Sequence, residues 1–442
     1  MKLTRFIRQL YKQLPDLVKG DVISTETADK IRQHYGPIDK QKTAQTIVVV
    51  FSVAGAACIG FGIILLFAYN WDMLSRSVKT VLSFLPMVLS WIAIAAYLYR
   101  KKDSLAQREG FATFNLLAVG SSIALISQVY HINGAIEEFI LTWMLLTVPL
   151  VYILKASLPA LLYISGLIFW ATCSQNQGAH AVWFWPLAGV IIPYYLRTFL
   201  KEPYRSRNVW LTWGLCIAFT IAIGICLEKV LPGLWIIIYS AFFAVLYFLG
   251  AYIFNDDVSG FQRPFRTYGM SGIVVFAYLL TFQFPWEEIG WRYYRVGGKF
   301  HGLAASIDYF LLVLLSVLAI AFLVRTVKEK LFFQASFGAL PIVAFLAYFL
   351  SSCGMYAVIP IWTFNVYLLF LSIICIRAGL NEQKLGVVNA GMFLLGLLIV
   401  TRFVDASMGI ILRAITFIIV GICFLVANIV LSGKMKRTKE YV

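Results

Sequence analysis

Residues Thr46–Asp72 read TIVVVFSVAGAACIGFGIILLFAYNWD, an apolar run that carries no charge until Asp72. At about 1.5 Å per residue, a helix of this length crosses roughly 30 Å of hydrocarbon. Asn70, Trp71 and Asp72 then place an amide, an indole and a carboxylate where that helix meets the interface. Runs of the same kind recur almost to the C-terminus, so this stretch sets the reading of the whole chain.

Composition agrees. Of 442 residues, 61% are hydrophobic, 16% aromatic and only 13% charged, whereas a soluble domain carries about 25% charged residues. The runs are continuous rather than alternating, which excludes a transmembrane β-barrel. The fold class is therefore all-α, a polytopic transmembrane helix bundle. Apolar length predicts about fourteen spans, at 46–69, 78–99, 111–130, 139–154, 157–173, 181–199, 209–227, 232–254, 268–285, 306–325, 332–351, 356–376, 385–401 and 411–432. Only Lys155-Ala156-Ser157 separates the fourth from the fifth.

Charge orients these spans. With the N-terminus inside and loops alternating, 29 of the 37 Lys and Arg residues fall on the cytoplasmic side, the positive-inside asymmetry. Both termini are then cytoplasmic. External acids balance external bases, so the net charge of +16 lies entirely inside and reflects topology. Nothing resembles a basic groove with interleaved stacking aromatics, and no nucleic-acid partner is expected.

Three domains follow: residues 1–44 as a cytosolic helical hairpin, 45–433 as the bundle and 434–442 as a basic cytosolic tail. In the hairpin, Leu3, Phe6, Ile7, Leu10, Tyr11, Leu14, Leu17 and Val18 recur at helical steps. Gly20-Asp21 breaks that pattern, Ser24 or Thr25 caps a second helix, and Gly36-Pro37 stops it. The polar N-terminal forty residues do not have the form of a cleavable signal, so the first spans are expected to direct insertion. The seven cysteines lie in or beside apolar runs without a C-x-x-C pair, and read as packing residues rather than metal ligands or disulfides. The aromatics of the longest external loop, 284–306, are expected in the headgroup belt. Gly386, Gly391 and Gly396 are expected to admit close helix packing.

Candidate functional residues sit at the external helix ends. Asp72 reads either as an ionisable group beside an ion path or as a cap on the following helix, with Trp71 as an interface anchor. Asn70 needs hydrogen-bond partners if buried. Gln128, Tyr130 and His131 end a later span, with Gln128 and His131 three residues apart on one helical face. Histidine titrates near neutrality and can handle protons, although a single one makes weak metal chemistry. Arg402 and Asp405 are likewise three apart, and read as a local ion pair or as part of the same polar set. Asp308 near the start of its span reads as a helix-dipole partner. No cofactor or metal is expected.

The blocks Phe67–Asp72 and Gln128–Gly134, with Gly20-Asp21-Val22-Ile23-Ser24 ahead of them, resemble a bacterial membrane-protein family catalogued as domain of unknown function 2157. The resemblance covers roughly Leu10 to Lys155, with Arg402-Phe403-Val404-Asp405 similar to an element near the end of related proteins. It implies a shared site and topology in the bacterial inner membrane, and no reaction. The functional expectation is transport or flipping of a small or lipid-linked solute through an outward-facing polar pocket lined by Asn70, Asp72, Gln128, His131, Arg402 and Asp405. The alternatives are an enzyme acting on an envelope lipid or glycan, and a scaffold whose residues 1–40 dock a cytosolic partner. Serine-nucleophile, zincin, Walker and dinucleotide motifs are absent from the sequence.

Overall fold

The computed structural model describes the backbone of residues 73–100, 105–176, 181–227, 233–254, 258–287, 303–352 and 358–404, together with parts of 10–35 and 410–425 and residue 289. The described residues form helices and turns, with no strand among them. The chain divides into two compact units, residues 1–81 and 82–442.

In the first unit the described residues between 10 and 18 are helical, and Leu14 is buried. The N–H groups of Val22 and Ile23 return to the Leu17 carbonyl at 3.0 and 3.4 Å and close the turn after Gly20. Helix α1 (Thr25–Tyr35) then starts from Ser24, whose Oγ accepts the Thr27 N–H at 3.2 Å. Ser24 is thus the expected cap. The first expected span, 46–69, and the stop at Gly36-Pro37 lie outside the described residues.

The second unit takes up helix α2 (Arg76–Tyr99), which begins in the first, and continues with α3 (Leu105–Tyr130), α4 (Ile136–Thr147), α5 (Pro149–Ile153) and α6 (Leu158–Asn176). Next come α7 (Phe184–Gly189), α8 (Ile192–Phe199), α9 (Ser206–Cys226), α10 (Leu234–Ile253) and α11 (Pro264–Leu279). The last described are α12 (Leu303–Lys328), α13 (Phe332–Gly338), α14 (Leu340–Ser352), α15 (Val358–Asn381) and α16 (Leu385–Val404). Among the described residues, nine helical segments are long and apolar enough to cross a membrane. Their outer faces expose large apolar side chains, such as Trp91 and Ile92 on α2 and Phe310, Val313 and Val317 on α12. A soluble monomer rarely tolerates apolar patches that large, whereas lipid covers them at no cost. The chain is an integral membrane protein.

Three expected spans are broken, each just before a proline. The run 139–154 divides at Val148 before Pro149, 181–199 divides at Val190-Ile191 before Pro193, and 332–351 divides at Ala339 before Pro341. Proline lacks the N–H that would continue the ladder, and its ring crowds the carbonyl four residues back. The ninth expected span also shifts, starting at Pro264 and ending at Leu279, because proline suits the first helical turn.

Packing is tightest where glycine removes a side chain. A Cβ on Gly250 would lie 2.0 Å from the Arg266 nitrogen, and one on Gly269 would lie 2.3 Å from the Tyr247 nitrogen, so α10 and α11 meet backbone to backbone. Gly391 does the same for α16 against the Ser372 carbonyl of α15, as expected. Around Gly386 and Gly396, on the side of α16 turned away from α15, nothing among the described residues lies within 4 Å of a built Cβ. Polar threads cross the helix contacts, with Asn115 Nδ2 donating to Ser90 Oγ at 2.5 Å and Ser122 Oγ to the Ser83 carbonyl at 2.6 Å. Cys216, Cys226 and Cys375 are buried free thiols, consistent with packing roles. Trp286 departs from its expected place in the headgroup belt. It is buried, donates Nε1 to the Leu280 carbonyl at 2.8 Å and packs 5.7 Å from Phe364, so it closes the core below the end of α11.

Candidate functional site

Three connectors meet at one end of the second unit: the start of α3, the link between α5 and α6, and the loop from α8 to α9. Each is fixed by a specific polar contact. The Glu109 carboxylate accepts the Ser157 N–H through Oε1 and Oε2 at 2.7 and 2.9 Å, and the Leu158 N–H through Oε2 at 2.8 Å. Those are unpaired donors at the start of α6, where negative charge also complements the helix dipole. Ser157 Oγ and Tyr194 Oη lie 3.0 Å apart and join the same link to α8.

The α8–α9 loop is held from inside. Asn208 is fully buried, and its Nδ2 donates to the carbonyls of Thr198 at 2.9 Å and Glu202 at 2.8 Å. Thr212 Oγ1 donates to the Asn208 carbonyl at 2.7 Å and pairs with Tyr195 Oη at 2.9 Å. The broken segment ahead of the loop is pinned by tyrosines, with Tyr163 Oη donating to the Leu187 carbonyl at 3.0 Å and Tyr152 Oη to the Val190 carbonyl.

These contacts frame a cavity of about 430 Å³ lined by Arg108, Tyr152, Lys155, Tyr194, Arg197, Thr198, Lys201, Glu202, Arg205 and Arg207. Six of those ten are cationic and one is a carboxylate. Glu202 is engaged by Arg205 at 2.5 Å, and Glu109 is committed to the α6 start. The Arg207 Nε is buried without a hydrogen-bond partner among the described residues. Like charges gathered round a partly enclosed space raise its positive potential and concentrate anions there. Arginine forks and a lysine point charge are the groups that bind phosphate or carboxylate oxygens.

Of the residues expected from sequence to form a site, the described ones do not line this cavity. Asn70, Trp71, Asp72 and Asp405 fall outside the described residues. Gln128, Tyr130 and His131 are exposed at the far end of α3. His131 adopts a left-handed φ of 52°, with its N–H 3.4 Å from the Gln128 carbonyl and the Ile132 N–H 2.9 Å from the Ser127 carbonyl. That is the Schellman helix stop, in which His131 occupies the place usually taken by glycine. Arg402 is buried, donating Nη2 to the Thr281 carbonyl at 2.7 Å, with its guanidinium 5.9 Å from the Phe282 ring. Beside it Tyr278 and Thr401 hydroxyls meet at 2.5 Å, so Arg402 ties the end of α16 to the turn after α11. The hydrogen bonds described for Arg402 and for the 128–131 turn share no residue. Asp308 is buried in the second turn of α12 rather than placed at its start, within electrostatic reach of Cys226.

Helix α3, long and apolar enough to cross a membrane, ends in the Gln128–His131 turn, part of one of the blocks on which the family resemblance rested, while the block Phe67–Asp72 lies outside the described residues. Residues 15–160 match the family model DUF2157, a predicted membrane protein. Neither a curated protein nor a solved structure matches the chain. The DUF2157 region ends just past Ser157 and Leu158, so it contains Arg108, Glu109 and Lys155 but not the α8–α9 loop. Three of the ten residues that line the cavity, Arg108, Tyr152 and Lys155, therefore lie in that region and the other seven in the residues after it. Its cations were visible in sequence only as topogenic charge. The signal for the site was Arg197, Lys201 and Arg205, spaced four apart, with Arg207 close behind.

Proposed function

We propose that this protein is a carrier of the bacterial inner membrane, with about fourteen spans and both termini in the cytoplasm, which admits an anionic small or lipid-linked solute through the cationic cavity. The supporting observation is that cavity, where six cations face one paired carboxylate. The positive-inside distribution puts Arg108, Lys155 and Arg197–Arg207 on the cytoplasmic side. The polar set of Asn70, Trp71, Asp72, Gln128, Tyr130, His131, Arg402 and Asp405 then belongs to the outward end of the route. Arg108 and Tyr130 lie at opposite ends of α3, about 33 Å apart at 1.5 Å per residue, close to the hydrocarbon thickness.

Reconstitution into liposomes tests the proposal. Headgroup-labelled phosphatidylglycerol and radiolabelled phosphate are offered in parallel, and movement of one of them across the bilayer should exceed that in protein-free vesicles. The double variant Arg197→Gln/Arg207→Gln should slow it at least tenfold. Equal rates with and without protein for both probes would remove the carrier reading.

A further inference from the structure

Helix α8 carries a second cavity on its other face. Tyr194, Arg197 and Thr198 line the cationic cavity, whereas Ile192, Tyr195 and Leu196 line an apolar one of about 240 Å³, with Leu215 and Phe219 of α9 and Phe242 of α10. Both cavities also take their far walls from α9, the cationic one at Arg207 and the apolar one at Leu215. Eight residues of helix separate those two positions, about 12 Å along the axis. The apolar cavity thus lies deeper from the loop end than the cationic one. Ile192 and Leu196 are each 45% exposed on the outer surface, so lipid has access to it.

A charged basin at the helix ends, followed inward along the same two helices by an apolar recess, has the polarity order of a phospholipid entering a membrane. We infer that the two cavities together bind one anionic phospholipid, its phosphate among Arg197, Lys201 and Arg207 and an acyl chain against Ile192, Leu196 and Leu215. This inference rests on the basin being a ligand site, as proposed above, but not on transport. The shared chemistry is a phosphate oxyanion, which a soluble phosphate also offers. The apolar recess is what favours the lipid. Charge-assisted contacts to a phosphate hold it more strongly than neutral ones.

The test uses the full chain purified in a neutral detergent, with retention of fluorescent phosphatidylglycerol measured against phosphatidylcholine, inorganic phosphate and glycerol 3-phosphate. Phosphatidylglycerol should be retained at least tenfold more tightly than phosphatidylcholine and than either soluble anion. Arg197→Gln/Arg207→Gln should weaken its retention roughly tenfold or more. Ile192→Trp/Leu196→Trp, which fills the recess from the lipid side, should weaken phosphatidylglycerol and leave inorganic phosphate unchanged. Soluble anions held as tightly as the lipid, with no effect of the tryptophans, would assign the basin to a soluble phosphate and overturn the lipid inference. Equal retention of the two lipids would overturn it as well. The comparison of ligands needs only the wild-type chain, so a misfolded variant does not blunt it. Lipid binding without bilayer movement would defeat the carrier reading alone, whereas phosphate flux without lipid binding would defeat this inference alone.

Discussion

Glu109, in the first turns of α3, closes the start of α6 by accepting the N–H groups of Ser157 and Leu158 at 2.7 to 2.9 Å. The contact joins positions nearly fifty residues apart and does for α6 what a local serine or aspartate cap does elsewhere. It also withholds one of the two nearby carboxylates from the cationic cavity. Replacing Glu109 by Ala should cost about 1–2 kcal/mol, the usual value of a lost cap, and Glu109→Gln should cost less because its amide oxygen still accepts one N–H. Thermal unfolding in detergent checks this. Equal midpoints for wild type and Glu109→Ala would mean that the contact contributes nothing to stability.

His131 separates a structural role from a chemical one. Its φ of 52° places it where glycine is the unstrained residue. His131→Gly should leave the protein as stable or raise stability by up to about 1 kcal/mol. If the imidazole also handles protons or ligand, the same variant should lose flux in the liposome assay without losing stability. A variant that retains full flux assigns His131 to the helix stop and nothing more.

The spans were legible because a hydrocarbon layer imposes a length that hydropathy records directly, and expected bounds such as 356–376 and 385–401 agree with the helices Val358–Asn381 and Leu385–Val404 to within a few residues. What escaped was anything set by non-local contact. Arg108, Lys155 and Arg197 are far apart in sequence, and each is fully accounted for as a topogenic charge, so nothing in the order of residues announces that they share a cavity. Asn208 reads as an ordinary polar residue near a helix start, yet it is fully buried and holds the loop that bears Lys201 and Arg205. Trp286 and Asp308 misled in the same way. Both types favour interfaces and helix ends, and tertiary packing buried each of them instead.

Orientation makes a separate prediction. If the cationic cavity faces the cytoplasm, single cysteines at Lys155 or Lys201 should react with an impermeant maleimide only in inside-out vesicles, and one at His131 only in right-side-out cells. Lys201 and His131 are both exposed, so access should not limit labelling. The background is a chain whose native cysteines are replaced, since Cys173 is only partly buried. Labelling of Lys155→Cys and His131→Cys from the same side would contradict a single crossing by α3.

The glycine contacts give the sharpest contrast. At Gly269 a Cβ would meet the Tyr247 backbone at 2.3 Å, and backbone cannot rotate out of the way as a side chain can. Gly269→Ala must push α11 off α10, and overpacking of that kind costs about 1–3 kcal/mol. Gly396, with nothing among the described residues within 4 Å of its Cβ position, sits in the same kind of helix without that constraint. Gly396→Ala should therefore gain the helix propensity of alanine, about 0.5–1 kcal/mol. Unfolding midpoints of the two variants should move in opposite directions from wild type. A lower midpoint for Gly396→Ala as well would mean that glycine serves this bundle through something other than the close approach of helix backbones.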